Sequence, residues 1–185
     1  MHAIFGWSNS CVAVHPSDMC VALAALDAMV TVLGADGAKR VIPFTNYHRL
    51  PDGTPQKDNT LEPGELVTEI TLPANRFAKN SYYLKVRDRA SYAFALVSVA
   101  AALELDGELV KSARVALGGV AHKPWRATQA EEFLSGKKAT TENFKQAAEQ
   151  AMKTARPLSE NAFKVELGKK AIVRALEQAK KGGVV

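Results

Sequence analysis

The chain has 185 residues, 47% of them hydrophobic and 23% charged, enough for one ordinary domain or two small ones around a self-standing core. That balance excludes a disordered, collagen-like or coiled-coil chain, and the most apolar run, Phe94 to Leu103, is far shorter than the roughly 18 residues of a membrane helix, so no membrane partner is expected. The net charge of +5 is uneven, with 9 Lys and Arg against 12 Asp and Glu in residues 1–110 and 15 against 7 in residues 111–185, but the lysines interleave with glutamates at helical spacing and lack an aromatic platform, which describes a solvated helix face and no nucleic-acid partner.

The opening MHAIFGWSNS has no basic segment followed by an apolar run and a small-residue cleavage site, so any export is expected to rely on a partner. CVAVHP reads as a short strand, Pro16 as a turn and SDMCVALAALDAMV as a helix. VTVLG and RVIPF, separated by a segment containing Asp36-Gly37, predict a hairpin. A loop follows from Tyr47 to about Pro63, punctuated by Pro51, Gly53 and Pro55. ELVTEITLP alternates as a half-buried strand, closing a first α+β unit near Pro73.

SYYLKVRDRAS predicts a strand entering a turn. The apolar stretch Leu96 to Leu105 and ARVALGGVA, joined through Asp106-Gly107, predict a second hairpin. Beyond Pro124 the periodicity becomes helical: ATQAEEFL with a stop at Gly136, a helix capped by Thr140 with a Glu142 to Gln146 face, and ELGKKAIVRALEQAKKGG ending in Lys and Gly. The second unit is thus a small sheet covered by helices, α+β again.

Motifs with chemistry are mostly missing. There is no phosphate-binding GxxxxGK[ST], no GxGxxG after a strand, no HExxH and no GxSxG. Cys11 and Cys20 have no zinc-ligand spacing and are expected to be reduced and buried. Asp18 lies at the mouth of a helix that follows an extended segment, where a carboxylate either caps the helix, alone or with Ser17, or bonds the hydroxyls of a sugar or ribityl chain. Lys85 and Arg87 alternate about Val86, which either aims both at an anionic ligand or leaves both as exposed strand charges. Gly118-Gly119 and the following His122-Lys123-Pro124-Trp125-Arg126 read either as a binding loop or as a turn packed on the first helix, with Trp125 as its anchor.

The string HAIFGWSNSCVAVHPSDMCVALAALDAMVTVLGADGAKRVIPF, continued by FTNYHRLPDGTPQKDNTLEPGELVTEITLP, resembles the FAD-binding medium subunit of molybdenum hydroxylases of the xanthine dehydrogenase and periplasmic aldehyde oxidoreductase type. YYLKVRDRASYAFALVSVAAALE and RVALGGVAHKPWRATQAEEFL are similar to the C-terminal domain of the same flavoprotein, so the resemblance runs the length of the chain. It implies residues 1–75 as the second part of a PCMH-type FAD-binding domain and 76–185 as a C-terminal flavoprotein domain of antiparallel sheet and helices. It further implies an oxidoreductase subunit that passes electrons from iron–sulfur clusters through FAD to an external acceptor, a flavin-free docking module of the same complex being the alternative. The implied partners are a large molybdopterin subunit and a small [2Fe–2S] subunit. The implied compartment is the cytoplasm, or the periplasm through a partner's signal.

By the same resemblance Asp18 bonds the sugar or ribityl region, Leu61 in TLEPGE lies near the isoalloxazine ring, Lys85 in YLKVRDR lies near the flavin, and His48 and Arg49 belong to a loop beside it. Pro51-Asp52-Gly53-Thr54-Pro55 stands where the family more often has Pro-Gly-Asp-Thr-Pro, which moves the residue suited to positive φ. Relatives are longer and carry glycine-rich phosphate loops ahead of the matching region. The chain is therefore expected to behave as a truncated or split flavoprotein, with weak or no FAD affinity and no activity when isolated.

Overall fold

The computed structural model describes residues 2–74 and 77–182, so the domain boundary expected at residues 75 and 76 lies outside the described residues. Both units are mixtures of helix and antiparallel sheet. In chain order the elements are α1 (Asp18–Ala25), β1 (Met29–Leu33), β2 (Lys39–Pro43), α2 (Phe44–Tyr47), β3 (Leu66–Thr71), β4 (Ser81–Val86), β5 (Val97–Asp106), β6 (Leu109–Gly118), β7 (Trp125–Arg126), α3 (Thr128–Leu134), α4 (Thr141–Met152) and α5 (Phe163–Lys181). One sheet has the order β2-β1-β3, the other β4-β5-β6-β7.

The β1–β2 hairpin forms as its turn residues predict. Asp36 Oδ1 accepts from the Ala38 amide at 2.9 Å, and Gly37 takes the left-handed backbone (φ +82) that the turn requires. The β5–β6 hairpin turns between Asp106 and Leu109, with a register shift near Leu105 that adds twist at its tip.

The four-stranded sheet is covered on both faces, which explains the continuous apolar reading of Leu96 to Leu105. Val97, Val99, Ala101 and Leu103 of β5 and Val115 and Leu117 of β6 enter the main core with α3, α4 and α5. Ala100 and Ala116, one step along the same strands, enter a second core with α1, β1 and Phe44. On β4 the alternation divides Tyr82, Leu84 and Val86 to the main core from Tyr83 on the α1 face.

Four expectations need correction. CVAVHP is extended but forms no strand: between the Ser8–Cys11 bridge and Pro16 there is room for separate bonds only, Ala3 N–H to the Val12 carbonyl and His15 N–H to the Ala121 carbonyl, both at 2.8 Å. The first helix stops at Ala25 instead of running to Val30. Asp27 takes a left-handed backbone there (φ +55), and its carboxylate is clasped by Arg114 at 2.9 Å and Arg126 at 2.6 Å, which releases Met29 and Val30 into β1. β3 alternates in sequence but is exposed along most of its length: it is an edge strand from which only Val67 reaches the second core. Cys11 and Cys20 are free, as expected, but half-buried.

The helices follow their signals closely. Thr140 accepts from the Asn143 amide, Gln146 bonds Glu142, and Gly136 and Gly182 take positive φ beyond the ends of α3 and α5. α5 starts earlier than its sequence pattern suggests, at Phe163. Its second residue, Lys164, is fully buried and donates to the carbonyls of His2 at 3.1 Å and Gly119 at 2.7 Å.

Candidate functional site

The segment leading into α1 sets the site. Ser17 Oγ accepts from the Cys20 amide at 3.3 Å, so the serine alone caps the helix and the Asp18 side chain is released to face β4. Period-two alternation brings Tyr83 and Lys85 to the same face of β4. Tyr83 donates its hydroxyl proton to Asp18 Oδ1 at 2.9 Å, and Lys85 Nζ donates to Asp18 Oδ2 at 2.7 Å. Burial, reinforced by the Asp18 carboxylate, pushes the Tyr83 phenol above its usual range, so at neutral pH it is a donor. Each Asp18 oxygen keeps a second lone pair toward solvent, where it can accept from a ligand hydroxyl.

Asp18 and Lys85 lie on the wall of a cavity of about 900 Å³ that continues to Pro16, Arg89, Tyr92 and Phe94. Tyr92 is 95% and Phe94 65% exposed, and Tyr92 is held in a left-handed backbone (φ +52) with Arg89 bonded to its carbonyl. Two uncovered aromatic rings above a carboxylate–ammonium pair suit a ligand with a flat aromatic part and a hydroxylated chain. A smaller cavity of about 330 Å³ adjoins it through the shared residues Pro16, Asp18 and Phe94 and is floored by Ser98 and Gly118.

The structure brings Asp18 and Lys85 into one cleft and places the other expected residues around it. Leu61 packs half-buried against the core beneath α1, with its amide bonded to Asn59 Oδ1 at 3.0 Å. Arg49 is engaged within its own loop, donating to Thr54 Oγ1 at 2.9 Å. His48 follows α2 and packs between the rings of Tyr47, Phe44 and His15, where burial, reinforced by His15 and Lys123, pushes it down to about 4. Arg87 lies just past β4 and is exposed. Tyr83 was missed in the sequence, although its i, i+2 relation to Lys85 in SYYLKV was the signal for it.

The glycine-rich segment at the end of β6 is a packing turn. A Cβ on Gly118 would lie 2.3 Å from Ser98 Oγ and 2.6 Å from Val21 Cγ2, so the absence of a side chain is what lets α1 approach the sheet. Trp125 stacks on Phe5 at 4.7 Å, while His122 Nε2 reaches Asp58 Oδ1 at 3.0 Å and ties this turn to the loop after α2.

Residues 8–75 match the family model of the FAD-binding domain in molybdopterin dehydrogenase, and residues 82–179 that of the CO dehydrogenase flavoprotein C-terminal domain. The chain is 45% identical over 180 residues to the aldehyde oxidoreductase FAD-binding subunit PaoB of Escherichia coli (strain K12), an alignment that covers 97% of this chain and 53% of that one. It is 34% identical over 145 residues to the glyceraldehyde dehydrogenase medium chain of Sulfolobus acidocaldarius, covering 78% and 49%. The chain thus spans about half the length of the curated relatives it matches. Among solved structures, quinoline 2-oxidoreductase from Pseudomonas putida 86 superposes with a TM-score of 0.77 at 25% identity, over 91% of this chain and 57% of that one. CO dehydrogenase from Oligotropha carboxidovorans has the same fold, with a TM-score of 0.78 at 24% identity over 88% and 56%.

Proposed function

Because the chain belongs to the FAD-binding subunits of molybdenum hydroxylases, we propose that the cleft between α1 and β4 receives the ring and ribityl end of FAD in an electron-transferring oxidoreductase subunit. The observation that carries this reading is the Asp18 carboxylate, freed from capping by Ser17 and held on the cavity wall by Tyr83 and Lys85. When bound, FAD supplies a carrier that takes electrons from iron–sulfur centres and hands them to an external acceptor.

The residues fit that role. Asp18 accepts from hydroxyls of the ribityl or sugar chain through its remaining lone pairs. The Lys85 ammonium places positive charge where a reduced ring carries negative charge. Tyr83, held protonated, fixes the carboxylate from the side opposite the ligand, and Tyr92 and Phe94 exclude water from the ring face. Leu61, His48 and Arg49 act one step back, shaping the loop behind α1. The FAD-domain match over residues 8–75 supports this reading over a flavin-free docking module.

The same proposal carries the wider arrangement: a division at residues 75 and 76, electrons delivered from a large molybdopterin subunit through a small [2Fe–2S] subunit, and a compartment set by those partners. No helix among the described residues is long and apolar enough to cross a membrane.

Titration of the chain with FAD and with riboflavin, followed by flavin fluorescence quenching, tests the proposal. Since the cleft is assigned to the shared ring and ribityl portion, both ligands quench saturably with similar, weak affinity, and Asp18→Ala weakens both by about tenfold or more, the order expected for loss of a charge-assisted hydrogen bond. Absence of saturable quenching, or quenching unchanged in Asp18→Ala, contradicts it.

A further inference from the structure

Behind the flavin cleft three residues from separate segments converge: His15 from the extended run before α1, Cys20 from the first turn of α1, and His48 from the end of α2. One ring nitrogen of each histidine and the Cys20 sulfur all lie within 4.8 Å of one another. The two imidazoles sit 4.4 Å apart, centre to centre, at 57°, tilted rather than stacked.

His15 Nε2 and His48 Nδ1 are buried and have no hydrogen-bond partner within the chain. An unsatisfied buried nitrogen is costly, and two of them in one cluster call for an occupant. Burial keeps both rings uncharged at neutral pH, the form that coordinates metal. The charged groups that face the cluster are Lys123 and Asp58, of opposite sign, and the His122 imidazole lies beside them.

We propose that His15, Cys20 and His48 form a binding site for one borderline-soft divalent metal ion of the Zn²⁺ class, with the fourth tetrahedral position open to water. Two neutral imidazoles and one thiolate are a donor set that hard cations such as Mg²⁺ and Ca²⁺ do not favour. Metal–nitrogen bonds of about 2.0–2.1 Å and a metal–sulfur bond of about 2.3 Å bring tetrahedral ligand atoms roughly 3.5 Å apart. Side-chain adjustment of the half-buried trio has to close the remaining gap, and among the described residues no side-chain hydrogen bond opposes it. An ion here joins the segment entering α1 to the segment leaving α2. It therefore anchors the carboxylate end of the cleft without touching Asp18.

Cobalt(II) titration of the full 185-residue chain, after chelator treatment, reads the site directly. One equivalent binds and produces a thiolate-to-cobalt charge-transfer band. Cys20→Ser abolishes the band, His15→Gln and His48→Gln each weaken binding by about tenfold or more, and Cys11→Ser leaves it unchanged. In the unsubstituted chain, one equivalent of Zn²⁺ slows alkylation of Cys20 by about tenfold or more and leaves Cys11 as reactive as before, a readout independent of whether any variant folds. Failure to take up stoichiometric cobalt, a charge-transfer band that survives Cys20→Ser, or Cys20 left unprotected by zinc overturns the proposal.

Discussion

Asp52 adopts φ +34 in the loop where the family more often places glycine one position earlier than this chain does. The positive φ falls on Asp52 itself and not on Gly53: aspartate tolerates that region better than most residues, at some cost relative to glycine. Asp52→Gly is accordingly expected to raise the unfolding free energy by about 0.5–1 kcal/mol in a denaturant titration. Lys164 is a second residue whose environment sets a measurable property. Burial pushes its ammonium down to about 8, whereas in the unfolded chain it titrates near 10.5. Between those two values the unfolded chain holds a proton that the folded chain has released, so stability rises with pH. Relative to Lys164→Met, the native chain should gain on the order of 1–3 kcal/mol between about pH 8 and 10.5, measured by urea unfolding at each pH, and a flat difference would remove burial of the charge as the cause.

At the scale of elements, what was legible depended on whether local chemistry and tertiary surroundings agreed. Asp36-Gly37, Thr140 and Gly182 act on backbone within a few residues of themselves, so the β1–β2 turn, the start of α4 and the end of α5 could be read directly. The early end of α1 could not be, because it is imposed by Arg114 and Arg126, which arrive from β6 and β7 roughly ninety or more residues later to hold Asp27. CVAVHP has strand propensity but makes only isolated backbone bonds, and β3 has strand alternation but sits at a sheet edge with Val67 alone reaching the core. In the site, the helix-mouth position of Asp18 and the alternation of Lys85 were visible. Their convergence was not, since it needs α1 laid on β5 and β6 through the side-chain gap at Gly118, which brings the start of α1 to the neighbouring strand β4. Gly118→Val tests that packing: the added atoms must displace Val21 and Ser98, and a loss of roughly 1–3 kcal/mol in thermal or chemical unfolding is expected, together with weaker flavin quenching as α1 lifts.

Across the whole molecule, the four-stranded sheet serves as the floor of two compartments. Its far face carries α3, α4 and α5 in the main core, and its near face carries α1 and, through it, the three-stranded sheet. The first residues of the described chain are fastened to the far compartment: Asn161 and Lys164 hold the carbonyls of His2 and Ala3, and Trp7 donates to the Arg156 carbonyl at 2.7 Å. The candidate cleft therefore lies between elements anchored from both sides, and its carboxylate–ammonium pair bridges them. The most direct measurement is a map of backbone amide shifts of the isotope-labelled chain during titration with riboflavin. Saturable shifts concentrated at residues 17–18, 83–85 and 89–94 are expected. Shifts centred on the exposed faces of β3 or α5, or no saturable shifts at all, would contradict a flavin cleft built on Asp18 and Lys85.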